Sequence, residues 1–292
     1  MKKGVLYSIG AYGLWGILPI YWKFIQDVPA LEIVSHRVIW SFVFVISVVI
    51  LKNNWHEFNL ISKQKKLVLP YLATAILLSI NWLTYVWAVN AGYIVETSLG
   101  YFINPLVNVL LGVIFLRERL RPWQWVSVGL AFSGVVYLTM SYGRLPWIAL
   151  TLAICFGIYG LIKKTGSLDS LHGFSLETAV IFIPALSYLI YLEVAGRGAF
   201  GHTSILTTTL LALTGIATGI PMLWFGMAAR RINLSTLGFL QYIAPTLQFL
   251  IGVLVYNEDF SKERVIGFSV IWTALLVYSL EGVIARRKKV VI

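Results

Sequence analysis

Ten predominantly apolar stretches, each about twenty residues long, follow one another along the chain with little between them. They run from about Gly4 to Ile25, Ile33 to Leu51, Leu67 to Ala91, Ile94 to Leu116, Trp123 to Met140, Leu145 to Ile162, Phe174 to Leu192, Leu206 to Ala229, Leu234 to Tyr256 and Val265 to Ala285. About 20 helical residues cross a hydrocarbon core of about 30 Å. Each stretch is bounded by charge, Gly or Pro, so each reads as one crossing. Lipid gives backbone amides no partner, which leaves helices as the spanning form for segments like these. The expected fold class is therefore all-α, a polytopic membrane protein of ten transmembrane helices. Composition agrees, because 59% of the 292 residues are hydrophobic and 12% charged, against roughly 45–50% and ~25% in soluble proteins. Ten crossings leave no room for a sizeable soluble domain.

The Lys and Arg residues test the span count, because a wrong count would scramble their alternation between faces. With the N-terminus inside, the inner face receives Lys2 and Lys3, the Lys52 to Lys66 group, Arg117 to Arg121, Lys163 and Lys164, Arg230 and Arg231, and Arg286 to Lys289. Only Lys23, Arg37, Arg144, Arg197, Lys262 and Arg264 of the 23 fall outside that set. Both termini are expected inside. The formal charge of +11 then serves orientation, not nucleic-acid binding. Lys2 and Lys3 precede an apolar run too long for a signal peptide and without a small-residue cleavage pattern, so a retained first helix is expected. The one cysteine, Cys155, allows no intrachain disulfide.

An internal duplication accompanies the spans. A shift of 140 positions superposes Pro105 on Pro245, Gly112 on Gly252, Glu118 on Glu258 and Asn108 on Gln248; a shift of 141 places Trp15-Gly16 over Phe156-Gly157 and His36 over Glu177. Each half, 1–143 and 144–292, holds five spans. An odd number makes the second half enter the membrane with opposite sense, giving two inverted five-helix repeats that can rock around a central cavity.

Candidate cavity residues come from polar groups at matched depth. Pro105 and Pro245 remove helical hydrogen bonds and free the carbonyls of Tyr101 and Gln241. Tyr101, Asn104 and Asn108 share a face of the fourth span, and Gln241 and Gln248 share a face of the ninth. Such amides also tie helices together, which is the competing role. Asn81, Trp82 and Tyr85 in the third span, Tyr12 and Trp15 in the first and Tyr159 in the sixth add aromatic and polar walls suited to apolar or cationic solutes. Ionisable residues near the hydrocarbon, His36, Arg37, Glu96 and Glu177, are candidates for gate or proton-relay work, and snorkelling to the interface is the alternative. Glu118 is expected to cap and neutralise its basic loop, and Gly215 and Gly219 form a GxxxG pair suited to close helix packing. The four histidines are scattered at no metal-ligand spacing, and no phosphate-cradling glycine loop is present. No cofactor, no metal and no catalytic role is expected.

Several segments resemble signatures of a known group. His36-Arg37-Val38-Ile39-Trp40-Ser41, Trp87-Ala88-Val89-Asn90, the run from Ser98 to Asn108 and the run from Leu234 to Thr246 are similar to those of the RarD permeases, within the EamA family of the drug/metabolite transporter superfamily. The resemblance covers nearly the whole chain. It implies a ten-helix cytoplasmic-membrane permease in two inverted halves, with the cavity lined by the first, third, fourth, sixth, eighth and ninth helices. Leu116-Arg117-Glu118-Arg119-Leu120 resembles the family's helix-end pattern, whereas Asn257-Glu258-Asp259-Phe260 departs from it. The function expected is secondary transport of a small organic metabolite or drug by alternating access, with export the favoured direction and protons the candidate coupling ion. An uncoupled facilitator or channel of the same fold is the alternative; a membrane-embedded enzyme or lipid scramblase would need a reactive cluster that the sequence does not offer.

Topology follows directly. Reporter fusions at the two termini are expected on the same, cytoplasmic, face; ends on opposite faces would overturn the ten-span count.

Overall fold

The computed structural model describes residues 2–91, 93–142, 145–256 and 262–290, and among these every regular element is helical. The helices are α1 (Lys2–Lys23), α2 (Ala30–Leu51), α3 (Trp55–Ser62), α4 (Lys65–Asn90), α5 (Ile94–Phe115), α6 (Pro122–Tyr142), α7 (Trp147–Thr165), α8 (Ser170–Val194), α9 (Ile205–Ala229), α10 (Leu234–Gln241), α11 (Ile243–Tyr256) and α12 (Lys262–Val290). Among the described residues nine segments are long and apolar enough to span a membrane, with α10 and α11 together forming one of them. A tenth helix, α6, has 21 residues and is long enough to cross.

The helix boundaries have local causes. Asp169 accepts the amide N–H of His172 at 2.8 Å and caps α8, and Ser204 accepts that of Thr207 at 3.0 Å and caps α9. Pro29 precedes α2 and Pro146 precedes α7, where a missing N–H costs nothing. Pro245 removes the hydrogen bond to Gln241, and the ninth span breaks there into α10 and α11. Pro105 leaves α5 continuous. The eight-residue α3 was not signalled by any apolar stretch. It buries Phe58 and Ile61 and exposes Trp55, a short amphipathic element beside the bundle.

Packing is pairwise. Helix α2 lies between α8 and α9, α1 against α9 and α11, α4 against α7 and α8, α5 against α7 and α10, and α6 against α12. Apolar side chains left exposed by these pairs, such as Ile76, Ile80 and Leu83 on α4 and Leu276, Leu280 and Ile284 on α12, form stripes at helical spacing suited to lipid. Lipid is as apolar as leucine, so close helix contact depends on small residues. The α2–α9 contact does so: a Cβ on Gly215 would lie 2.2 Å from the Trp40 carbonyl carbon, and one on Gly219 would lie 2.6 Å from the Phe44 ring.

Gly215→Val is therefore expected to force α2 off α9, at a cost of about 1–3 kcal/mol, read as a lower melting temperature in detergent. Gly13→Ala, where a Cβ meets nothing within 4 Å, should melt like the parent. Equal melting of the two variants would remove the contact from the account.

Candidate functional site

The central feature is a cavity of about 190 Å³ between α1, α2, α4, α5, α7, α9 and the α10–α11 break. Its lining runs from Tyr12 to Trp22 on α1, Asn81 to Tyr85 on α4, Thr97 to Asn104 on α5 and Leu152 to Phe156 on α7. These are the end of α1, the end of α4 and the beginnings of α5 and α7. Short connections alternate the helix sense, so all four segments lie toward the face opposite the N-terminus.

Nine of the sequence-derived cavity candidates line it: Tyr12, Trp15, Asn81, Trp82, Tyr85, Tyr101, Asn104, Gln241 and Gln248. Asn108 and Tyr159 lie below it. Asn108 is fully buried and donates to Asn104 Oδ1 at 3.0 Å and to Gln241 Oε1 at 2.9 Å, so its amide joins α5 to α10 and does not reach the lining. Asn104 donates to the Ala153 carbonyl at 3.0 Å, Asn81 to that of Leu152 at 2.9 Å and Gln248 to that of Trp15 at 3.2 Å. The amides thus do both things weighed from the sequence: their nitrogens tie helices, and most of the side chains border the cavity.

Tyr159 belongs to the floor. Tyr12, Trp15, Phe156, Tyr159 and Phe225 stack there with neighbouring ring centroids 5.1 to 6.2 Å apart. Beneath the rings, the Tyr159 hydroxyl donates to Glu177 Oε2 at 3.2 Å, and Thr74 donates to Glu177 Oε1 at 2.7 Å. Lys163 Nζ completes the cluster at 3.0 Å from Glu177 Oε1.

The four gate or relay candidates separate. Arg37 lines the cavity. His36 points away from it, stacked on Phe200 and 3.9 Å from Glu32, while Glu32 itself accepts the Ala199 amide at 2.7 Å. Glu177 is fully buried and does not snorkel. Glu96 lies on α5, but its side chain is outside the described residues, as is the whole of Glu258. Glu118 reaches across to α10, where its carboxylate accepts the Leu234 and Ser235 amides at 2.6 and 3.0 Å and the Ser235 hydroxyl at 2.6 Å.

A multi-pass helical bundle enclosing a polar and aromatic cavity has the architecture of a membrane transporter, and comparison with known proteins agrees. The EamA-like transporter family matches residues 2–140. Protein RarD of Streptomyces exfoliatus is 45% identical over 98% of this chain and 91% of its own length. The uncharacterized transporter YojE of Bacillus subtilis (strain 168) is 45% identical over 98% of this chain and 96% of its own. A protein of known crystal structure, at 21% identity and a TM-score of 0.72, aligns over 98% of this chain and 99% of its own and shows the same fold. The chain belongs to the EamA family and, within it, to the RarD permeases. It is a membrane transporter, and both its family and the Bacillus subtilis relative are described as transporters.

Sequence reasoning missed Lys163, Thr74 and Tyr71. Lys163 reads as an orientation charge beside Lys164, yet it is buried, with its ammonium 5.3 Å from the Tyr71 ring centroid and 5.6 Å from that of Tyr159. The available signal was Glu177 itself, since a buried carboxylate requires a cation or several donors. Removing one partner strands the other charge, so Glu177→Gln or Lys163→Met alone is expected to destabilise by about 3–5 kcal/mol, and the double variant Lys163→Met with Glu177→Leu to regain most of that. Melting of the three proteins in detergent measures it; a double variant no more stable than either single one would mean the charges are not coupled.

Proposed function

We propose that the protein is a secondary transporter that moves a small organic solute across the cytoplasmic membrane by alternating access, with both termini inside and protons as the candidate coupling ion. The single observation carrying this reading is the asymmetry of the cavity. It occupies the half of the bundle away from the N-terminus, while the other half is closed by the aromatic floor and the Lys163–Glu177 cluster. With the N-terminus in the cytoplasm, this is an outward-facing state.

We assign residues 1–143 and 144–292 as the two inverted repeats of a ten-span chain. The helix pairings support this. Pairing the spans in order, α1 with α7, α2 with α8, α4 with α9, α5 with α10–α11 and α6 with α12, turns each major contact into another observed contact. The α5–α7 contact exchanges with α11–α1, α2–α9 with α8–α4, and α1–α9 with α7–α4. The α2–α8, α5–α10 and α6–α12 contacts map onto themselves, as a two-fold axis in the membrane plane requires. In such a scaffold a mirror-image state, with the cavity in the other half, has similar packing.

Cysteine accessibility tests the cycle. In a Cys155→Ala background, Leu18→Cys in the cavity wall should react with a membrane-impermeant maleimide only from the outer face. Ser8→Cys, one helical turn below Tyr12 and buried, should react only from the inner face and only in molecules that have switched. Reaction of Leu18→Cys with no reaction of Ser8→Cys from either side would describe a static pocket; simultaneous reaction of both sites in one molecule would describe a channel.

A further inference from the structure

Arg37 is the only Lys, Arg, Asp or Glu among the described residues that line the cavity. Its Nε donates to Thr218 Oγ1 at 3.0 Å. Its guanidinium carbon stands 5.1 Å from the centroid of Trp22 and 5.0 Å from that of Trp82. Two indoles and one hydroxyl therefore hold the group in a defined place. No carboxylate among the described residues pairs with it, and neither terminal amino group has a hydrogen-bond acceptor among them. The contrast with Glu177 is direct: that charge, in the closed half, has a lysine and two hydroxyls.

A guanidinium held in a spanning segment is costly unless its charge is met. Indole faces meet part of it. The two terminal amino groups form the planar fork that binds a carboxylate or similar oxyanion through paired hydrogen bonds. The remaining walls suit what would be attached to such a group. Trp15, Trp82, Tyr85 and Phe156 present flat apolar surface, and Asn81 and Gln248, with their nitrogens already bonded to carbonyls, keep amide oxygens as acceptors.

We infer that the cavity selects small organic anions, a carboxylate on an apolar or aromatic body, with Arg37 as the anchoring residue. This rests on the transport reading above, because it names the solute class for the same cavity. It also accounts for Arg37 having no carboxylate partner among the described residues: the cargo supplies the counter-charge, and the same positive centre repels cations.

The test uses purified full-length protein in detergent with benzoate and phenylacetate, their neutral isosteres benzamide and phenylacetamide, and benzylamine as the cation. Thermal stabilisation and protection of Leu18→Cys from maleimide are both read. The acids are expected to stabilise and protect, and the amides and the amine not to. Arg37→Gln should raise the half-maximal concentration of the acids roughly 30-fold or more, and Arg37→Lys should retain part of the response. Should Arg37→Gln fail to fold, Arg37→Lys and the protection of wild-type lining still decide the matter. Acids that act no better than their amides, acids that have no effect at all, or an undiminished acid response in Arg37→Gln would each overturn the anion assignment. None of those outcomes touches the transport reading, which falls only if Ser8→Cys and Leu18→Cys fail to show alternate accessibility.

Discussion

Hydrocarbon offers a polar group no partner, so each inward-facing polar side chain in this bundle must be satisfied by another helix, by water or by cargo. Three different solutions coexist. Asn81, Asn104 and Gln248 direct their amide nitrogens at backbone carbonyls of facing helices. Bonds of this type average about 0.6 kcal/mol, too little to hold a bundle together, but enough to fix which faces of α4, α5 and α11 surround the centre. Glu177 is met entirely by protein: a lysine, a threonine and a tyrosine. Arg37 is met by π faces and one hydroxyl, which positions the charge without neutralising it. Among the described residues, the two charges thus differ in how completely they are paired.

Backbone proximity is set by a second consequence of the same solvent. Because burying leucine against leucine gains little over burying it in lipid, contact relies on surfaces that fit closely. Gly215 and Gly219 bring α9 against the Trp40 backbone and the Phe44 ring of α2. Gly238 does the same at the centre, where a Cβ would fall 2.6 Å from the Pro105 carbonyl oxygen. The proline that disturbs α5 and the glycine that admits α10 therefore meet, and Tyr242, at the break in the ninth span, donates its hydroxyl to the Phe102 carbonyl at 3.2 Å. Two lesions in helical hydrogen bonding are brought together at mid-depth, where polar groups of the opposing chain segment are within reach.

Much of this was legible because apolar runs and charge alternation are one-dimensional signals. The spans agree closely with the helices: the stretch from Leu206 to Ala229, for example, against α9 at Ile205–Ala229. The GxxxG pair also packs as its spacing suggests. What escaped is what depends on a partner distant in the chain. Lys163 and Lys164 are neighbours of identical type, yet one is buried against Glu177 and the other reaches the carbonyls of Ala229 and Ile232. Asn104 and Asn108 share a face, but a turn of difference in depth puts one beside the cavity and the other beneath it. Pro105 and Pro245 look equivalent, and only the second breaks its helix. The short α3 escaped for another reason, since eight residues with apolar positions at Trp55, Phe58 and Ile61 fall below any spanning signal.

The polar links also group the helices in a way that the sequence halves do not. Tyr21 bonds to the Leu210 carbonyl, Arg37 to Thr218 and Ser41 to the Gly215 carbonyl, which joins α1 and α2 to α9. Asn81 bonds to α7 and Thr74 to Glu177 of α8, which joins α4 to α7 and α8. Each group takes two helices from one half of the chain and one from the other, and the proposed span pairing exchanges the groups. The cavity lies between them, and its floor is built from both: Tyr12, Trp15 and Phe225 from the first, Phe156 and Tyr159 from the second. In the proposed cycle the two groups rock against each other along the α2–α8 contact, keeping their internal hydrogen bonds while the ring contacts of the floor separate and the links across the groups, from Lys164 to the Ala229 carbonyl and from Ser170 to the Leu223 carbonyl, part. Stacked rings at 5.1 to 6.2 Å are suited to that task, because each aromatic pair contributes only about 0.5–1.5 kcal/mol and leaves no unpaired polar group behind when it parts.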